Sequence, residues 1–163
     1  MISVGRIGVE GETILRNLYQ LYIHDMSEWL GFAAQPDGRF AFDTGPLWRS
    51  DVTVYLAQVD GAPAGFGVVQ PATPWLPSRD ARDVKDLFIL RRHRRQGVAR
   101  ALARRLWDDR PGVWLVRVLA ANRPAVPFWR RAVQEYNRGA HEELAVTDRG
   151  RDWIHLRFDS SAR

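Results

Sequence analysis

One stretch, residues 87–102, constrains the fold more than any other, because its hydrophobic period changes from that of a strand to that of a helix. It begins with the apolar, β-favouring run Leu87–Leu90 and passes through an arginine-rich turn that contains a single glycine, Gly97. Apolar residues then recur at helical spacing from Val98 through Leu102. The pattern predicts a strand, a tight turn and a helix.

The turn before this helix is a candidate anion site. The first N–H groups of a helix have no partner within the helix, and the helix dipole adds partial positive charge there. Phosphate groups bind well at such positions. A second interpretation is an ordinary strand-to-helix connection whose arginines face solvent, and the residue pattern alone leaves both open. The arginines concerned are Arg91, Arg92, Arg94 and Arg95.

The length of 163 residues predicts one domain, residues 1–158, followed by a disordered tail, residues 159–163. No apolar run is long enough to span a membrane. Glu10 and Glu12 interrupt the apolar core that a signal peptide would need, so a cytoplasmic location is expected. The net charge of +5 would suit nucleic acid or another polyanion. Because the arginines concentrate at one turn, we expect no nucleic-acid partner.

Several kinds of site are excluded by composition. The chain has no cysteine, which rules out disulfides, thiolate nucleophiles and zinc–thiolate sites. The four histidines lack metal-ligand spacing, so no metal is expected. No Gly-x-x-x-x-Gly-Lys motif is present, so a nucleotide site of the P-loop type is not supported.

Hydrophobic periodicity and turn residues divide the rest of the chain into alternating elements. A strand, a helix and a strand in succession form a βαβ unit, so the strands on either side of the helix after Gly97 should be parallel neighbours. The last hairpin should turn Leu144 and Val146 inward. The predicted strands are 2–9, 51–70 as a hairpin, 83–90, 113–119, 141–146 and 152–158, and the predicted helices are 11–26, 98–109 and 124–137.

The first predicted helix carries a candidate substrate face. Tyr22, Asp25 and Trp29 are spaced by three and four residues, which places them on one side of a helix. An acidic face with aromatic rings would select a cationic amine. Alternatively, Tyr22 and Trp29 are core residues, and Asp25 or Ser27 caps a short helix that follows.

Two segments resemble elements of the GNAT superfamily of acyl-CoA N-acyltransferases. Residues 94–99, Arg-Arg-Gln-Gly-Val-Ala, are similar to its Gln/Arg-x-x-Gly-x-Gly/Ala pyrophosphate signature, and they lie at the expected strand-to-helix junction. Residues 122–131 resemble its Asn-x-x-Ala-x-x-Phe-Tyr element and follow in the expected order. One residue departs from the pattern, because Trp129 stands where the family usually has tyrosine. An indole cannot act as a general acid near neutral pH.

The resemblance implies a single α/β (α+β) domain with a mixed, mostly antiparallel sheet that splays at an acetyl-CoA site and is flanked by helices. The expected activity is transfer of acetyl from acetyl-CoA to the amine of a small molecule or peptide. A non-catalytic acyl-CoA-binding or sensing module of the same fold is the alternative. Homodimers are common in the family.

The resemblance also assigns roles to residues of this chain. A carboxylate on the strand before the turn would take the amine proton, with Asp86 or Asp83 as candidates and Asp86 preferred. Asp25 or a chain of water molecules would be the alternative proton acceptor. Tyr136 would replace the missing tyrosine acid if its helix bent toward the thiol. The strand residues Phe88, Ile89 and Leu90 would bind pantetheine and the thioester through their backbone. The expected cofactor residues of the turn and the two helices are Arg92, Arg94, Arg95, Gln96, Gly97, Val98, Ala99, Arg100, Asn122, Phe128 and Trp129.

Overall fold

A computed structural model describes residues 1–78 and 80–161, which form one seven-stranded sheet with helices on both faces. The helices are α1 (Glu12–Leu30), α2 (Val98–Asp109) and α3 (Ala125–Tyr136). The strands are β1 (Ile2–Ile7), β2 (Thr53–Val59), β3 (Ala62–Pro71), β4 (Arg82–Ile89), β5 (Val113–Leu119), β6 (Glu142–Asp148) and β7 (Arg151–Asp159). Within the described residues, no helix has both the length and the apolarity that a membrane crossing requires.

The strand order is β1-β2-β3-β4-β5-β7-β6, and β4 with β5 is the parallel pair in an otherwise antiparallel sheet. These two strands pair only from Arg82 to Val84 on β4, opposite residues 114–116 of β5. Beyond Val84 they separate, so the sheet opens between its two central strands. The prediction of a mixed, mostly antiparallel sheet with a splay is confirmed.

A one-residue bulge lies where the sheet opens. Val68 of β3 pairs with Asp86, whereas the next residue, Val69, pairs with Val84, so Lys85 has no partner opposite it. An extra residue of this kind bends the strand that carries it and interrupts the ladder. The bulge and the opening of the sheet therefore coincide.

The sheet has a separate hydrophobic core on each face. Helix α1 packs over β2, β3 and β4, with Tyr19, Phe66 and Phe88 among the buried residues. Helices α2 and α3 cover the opposite face, where Leu102, Trp107 and Trp129 pack against β5 and β7. The alternation of side chains along β4 assigns Asp86 and Phe88 to the α1 face, and Leu87 and Ile89 to the other.

The predicted elements are confirmed in order and type, with differences at several ends and faces. Helix α1 continues one turn beyond the predicted end at Met26, and it stops at Gly31, whose φ of +71° suits glycine. Its buried face is formed by residues 15, 18, 19 and 23, whereas the apolar residues Ile14 and Leu21 are exposed. The prediction that Leu144 turns inward is also wrong: Leu144 lies on the edge strand β6, opposite His155, and is 57% exposed.

The chain remains ordered past the predicted start of the tail. Asp159 is the last residue of β7, and Ser160 is buried. The N–H of Ser160 donates to the carbonyl of Gly112 at 2.9 Å, which holds this end against the loop before β5. A tail beginning at residue 159 is therefore wrong, and the predicted disorder of residues 162 and 163 concerns positions outside the described residues.

Candidate functional site

The carboxylate of Asp86 is held by two tyrosines of α1. The hydroxyl of Tyr19 donates to Oδ2 at 2.6 Å, and the hydroxyl of Tyr22 donates to Oδ1 at 2.8 Å. The tyrosines are three residues apart and therefore lie on one helix face. Because each carboxylate oxygen has a second acceptor position, Asp86 can still accept a hydrogen bond from a bound ligand.

Both phenols remain protonated donors over the physiological range. Burial raises the pKa of Tyr19 above its ordinary value of 10.0, and the charge of Asp86 and the hydrogen bond to it act in the same direction. The same causes, again led by burial, raise the pKa of Tyr22. The two hydroxyls therefore fix the orientation of the Asp86 carboxylate as neutral hydrogen-bond donors.

A cavity of about 340 Å³ opens beside this carboxylate, between α1 and the long connection that follows it. Its polar end contains Tyr19, Tyr22, Lys85 and Asp86. The rest of its lining is mainly apolar. Small-molecule sites in proteins commonly combine such an apolar body with a few convergent polar groups.

The irregular connection from residue 32 to residue 51 forms one wall of the cavity. The amide of Gln20 on α1 binds the backbone of Phe40 twice, donating to its carbonyl at 3.0 Å and accepting from its N–H at 2.8 Å. The Phe42 ring stacks on Tyr19 with centroids 3.9 Å apart. The aromatic residues that anchor this connection to α1 are therefore also the ones that form the cavity wall.

The structure separates the two carboxylates of β4 that could accept a proton. Asp83 is completely buried and accepts two hydrogen bonds from Arg117, at 3.0 and 2.6 Å, and a third from Gln70 at 2.9 Å. The guanidinium of Arg117 lies 3.5 Å from the ring centroid of Trp75. Asp83 is thus committed to an internal ion pair, whereas Asp86 lines the cavity.

The turn before α2 has the backbone shape of an anion cradle. Arg95 and Gly97 both have positive φ, +61° and +84°, and α2 begins immediately after at Val98. Alternating left- and right-handed residues turn successive N–H groups toward one concave side. A Cβ built on Gly97 would meet nothing within 4 Å, so this side of the turn is open.

The basic residues of this region divide into two groups. Arg91 and Arg94 both bind Asp25 of α1, at 2.8 and 2.6 Å, and Arg100 pairs with a glutamate of α3. Arg92 and Arg95 are exposed and form no ion pair within the described part of the chain. The Gln96 amide donates to the carbonyl of Arg92 at 2.8 Å and stabilises the turn. The two unpaired arginines are the ones available to phosphate groups.

Asp25 is placed differently from the prediction of a substrate-binding acid. It connects α1 to the turn through Arg91 and Arg94, and neither Asp25 nor the partly buried Trp29 is among the described residues that line the cavity. Burial would raise the pKa of its carboxyl, but the hydrogen bonds and charges of the two guanidinium groups outweigh burial and lower it. Of the three predicted substrate residues, Tyr22 alone reaches the cavity.

Replacing Asp25 by asparagine is expected to lower the free energy of unfolding by about 1 kcal/mol at pH 7, because both arginine partners are largely exposed. The pKa of Asp25 is lower in the folded state than its ordinary value of 3.8, so the ionised carboxylate stabilises the folded state at pH values above 3.8. This contribution is lost as the pH falls through the lowered pKa of the folded state. The difference in unfolding free energy between wild type and variant should therefore shrink in denaturant titrations as the pH falls below 3.8, and it should vanish once the pH is below the lowered pKa of the folded state.

The control is Asp51→Asn, which breaks an ion pair with Arg49 two residues away in the same loop. Because that pair connects no separate elements, its loss should change stability less. A difference for Asp25→Asn that persists in acid would contradict the assignment of this effect to the charged carboxylate.

The open edge of β4 presents the backbone of alternate residues. Leu90 donates its N–H to Ala64 at 2.8 Å and accepts from the N–H of His93, so its peptide groups are already bonded. In an antiparallel pair every second residue bonds to the neighbour, which directs Phe88 toward β3 and leaves Leu87 and Ile89 facing the opening. We therefore expect the backbone contacts to pantetheine at Leu87 and Ile89, and not at Phe88 and Leu90.

The predicted cofactor residues of the segment 122–131 differ in how far they are buried. Asn122 follows the end of β5, and its carbonyl accepts the N–H of Ala125 at 3.0 Å at the start of α3. Phe128 is partly exposed, with its ring 5.0 Å from that of Trp129. Trp129 is buried against Trp107, with centroids 6.3 Å apart, so it belongs to the core of the α2 face.

Tyr136 does not meet Asp86. It lies at the end of α3 in the core of the opposite face, where its hydroxyl donates to Asp108 at 2.8 Å. Asp86 is on the α1 face. The condition attached to Tyr136, a bend of its helix toward the thiol, is not met, because its hydroxyl is bound to α2.

Several residues of the site were not predicted from the sequence, among them Tyr19, Phe42 and Lys85. Tyr19 lies three positions before Tyr22, and this spacing is the signal that would have placed it on the same face. Phe42 stands in an irregular segment and Lys85 in a bulge, and neither position has a periodicity that reveals its neighbours.

A family model described as the acetyltransferase (GNAT) family matches residues 15–133. This range contains most of α1, the cavity, the basic turn and most of α3. A search of curated protein sequences gives no match.

Solved structures share the fold over nearly the whole chain at low sequence identity. The ribosomal-protein-S18-alanine N-acetyltransferase from Escherichia coli is 15% identical, with a TM-score of 0.67 and coverage of 99% of this chain and 95% of that one. An aminoglycoside acetyltransferase in complex with coenzyme A is 16% identical (TM-score 0.70; 99% and 96% coverage). A putative acetyltransferase from Salmonella typhimurium, solved with its cofactor acetyl-CoA, is 12% identical (TM-score 0.67; 98% and 94% coverage).

Proposed function

The chain belongs to the GNAT family of acetyltransferases, and from that membership we propose that it is an N-acetyltransferase that acts on an amine bound in the cavity beside Asp86. The observation that carries the proposal is the position of this carboxylate. Among the described residues that line the cavity, Asp86 is the only acid, and it lies at the bulge where β4 leaves β5.

The residues around the opening fit the family's cofactor, acetyl-CoA. The unpaired edge of β4 offers the backbone of Leu87 and Ile89 to pantetheine, and the open turn at Gly97 offers N–H groups to the pyrophosphate. Arg92 and Arg95 would add positive charge. Asn122 and Phe128, at the end of β5 and the start of α3, would line the other side of the opening. Acetyl-CoA supplies the acetyl group as a thioester.

In the proposed reaction, Asp86 accepts a proton from the ammonium group of the acceptor, directly or through a water molecule, which frees the nitrogen lone pair. The nitrogen then bonds to the acetyl carbon as the carbon–sulfur bond breaks. The second proton lost by nitrogen neutralises the sulfur, so the products are an acetamide, a free thiol and the proton that Asp86 passes to solvent. The hydrogen bonds from Tyr19 and Tyr22 hold the carboxylate in place throughout.

The reaction is tested by free-thiol release from acetyl-CoA with a panel of amines, combined with mass spectrometry of the acetylated product. We expect release that depends on both acetyl-CoA and amine. Calorimetric binding of acetyl-CoA without thiol release across a broad panel would instead support a non-catalytic acyl-CoA-binding module, and the absence of acetyl-CoA binding would contradict both functions.

A further inference from the structure

The cavity beside Asp86 has two charged residues in its lining, and they are adjacent in sequence and opposite in sign. Lys85, the only lysine of the chain, is the exposed residue of the bulge, and Asp86 follows it. In a regular strand, neighbouring side chains point to opposite faces. The bulge breaks this alternation, which lets both residues line one cavity.

The remainder of the cavity is apolar. Helix α1 contributes Ile23, Met26 and Leu30, and the connection after α1 contributes Phe32, Phe40 and Phe42. An ammonium group placed among these side chains would lose its hydration without gaining a partner, which is costly. The cavity therefore suits a ligand whose charges are confined to one end.

Asp25, the nearby acid that could attract a second cationic group of a ligand, is already paired with arginine. Asp25 is bound by Arg91 and Arg94 on the side of the basic turn, and it does not belong to the described lining of the cavity. The polar end thus has one anion and one cation, with no net charge. This balance disfavours a polyamine and favours a zwitterion.

On the basis of the proposed function, we infer that the acceptor is an α-amino acid with a large apolar side chain. Its amine binds Asp86 and is the group acetylated, its carboxylate pairs with the ammonium of Lys85, and its side chain lies among Leu30, Phe40 and Phe42. The volume of about 340 Å³ is at the lower end of the range for small-molecule sites, which suits a ligand of this size.

The inference is tested by calorimetry of the CoA-loaded protein with three probes: phenylalanine, phenethylamine and spermidine. Phenethylamine has the same aromatic ring and amine as phenylalanine but lacks the carboxylate. We expect phenylalanine to bind about fivefold more tightly than phenethylamine, as suits a partly exposed ion pair, and spermidine to show no saturable binding. Lys85→Met should reduce the ratio between the first two affinities to about one.

The matched control is Arg82→Met, which removes a positive charge from the same strand at a residue outside the cavity lining. It should retain the fivefold ratio. Equal affinities in the wild type, tighter binding of spermidine, or no saturable binding of any probe would overturn the inference.

Thiol release measured in parallel separates this inference from the proposed function. Phenylalanine that binds with the expected preference, with no thiol release from it or from any other amine of the panel, would leave the zwitterion site in place and contradict acetyl transfer. Acetylation of phenethylamine or spermidine without preference for phenylalanine would leave acetyl transfer in place and overturn the assignment of the acceptor.

Discussion

Asp86→Asn is expected to lower kcat for amine acetylation by about a hundredfold or more, within the range that general-base catalysis contributes. An asparagine side chain keeps the shape of the carboxylate but cannot accept a proton near neutral pH. Affinity for acetyl-CoA, measured by calorimetry, should change less than twofold, because the turn at Gly97 is formed by other residues. The deficit should shrink at alkaline pH, where the acceptor amine is already deprotonated in solution.

The control for Asp86→Asn is Tyr22→Phe, because the substitution to asparagine also disturbs two hydrogen bonds. Tyr22→Phe removes one of the two donors to the carboxylate and leaves the base in place. We expect a loss in kcat of less than about tenfold, in keeping with the modest net free energy of one hydrogen bond. If the two variants were equally impaired, or if the deficit of Asp86→Asn were independent of pH, proton acceptance by Asp86 would be refuted.

Gly97→Glu is expected to weaken acetyl-CoA binding by about a hundredfold, equivalent to about 3 kcal/mol. The new Cβ would point into the open side of the turn, and the carboxylate beyond it would oppose phosphate groups at the N-terminus of α2. Because that space contains no protein atom within 4 Å, the fold should tolerate the side chain. The left-handed φ of +84° should cost about 1–2 kcal/mol of stability in any residue other than glycine.

Gly139→Glu provides a matched control for strain and charge. Gly139 has a φ of +86°, and its Cβ would likewise meet nothing within 4 Å, but it follows the end of α3 rather than the start of α2. Its thermal unfolding should shift as much as that of Gly97→Glu, while calorimetry should show unchanged acetyl-CoA affinity. Equal loss of affinity in the two variants would indicate a general effect of strain or charge and would contradict a phosphate site at Gly97.

The elements of the cofactor half could be predicted from the sequence because their signals are local. The glycine and the apolar spacing around residues 97–102 mark the start of α2, and Arg110, Pro111 and Gly112 mark its end. The observed bounds of α2 and β5 agree with those predicted. Family resemblance extended the prediction to the splay and the cofactor, since the two matching segments lie on either side of that opening.

The acceptor half could not be predicted because its side chains meet through tertiary pairing. Tyr19 and Tyr22 reach Asp86 across 67 and 64 positions of sequence, and no local pattern reports such a contact. The acidic face assigned to Asp25 failed for the same reason, because the arginines that neutralise it come from a turn more than sixty residues away. Helical spacing indicates which residues share a face, but not what that face meets.

The bulge at Lys85 makes this protein sensitive to the number of residues in β4 as well as to their identity. Successive side chains of a strand point to opposite faces of the sheet. Without the extra residue, this alternation from Val84 would place Asp86 on the α2 face, in an apolar core. The added residue shifts the parity and, at the same point, releases β4 from β5. The face on which the carboxylate lies and the gap for the cofactor thus depend on one inserted residue, so an insertion or deletion here is expected to affect both together.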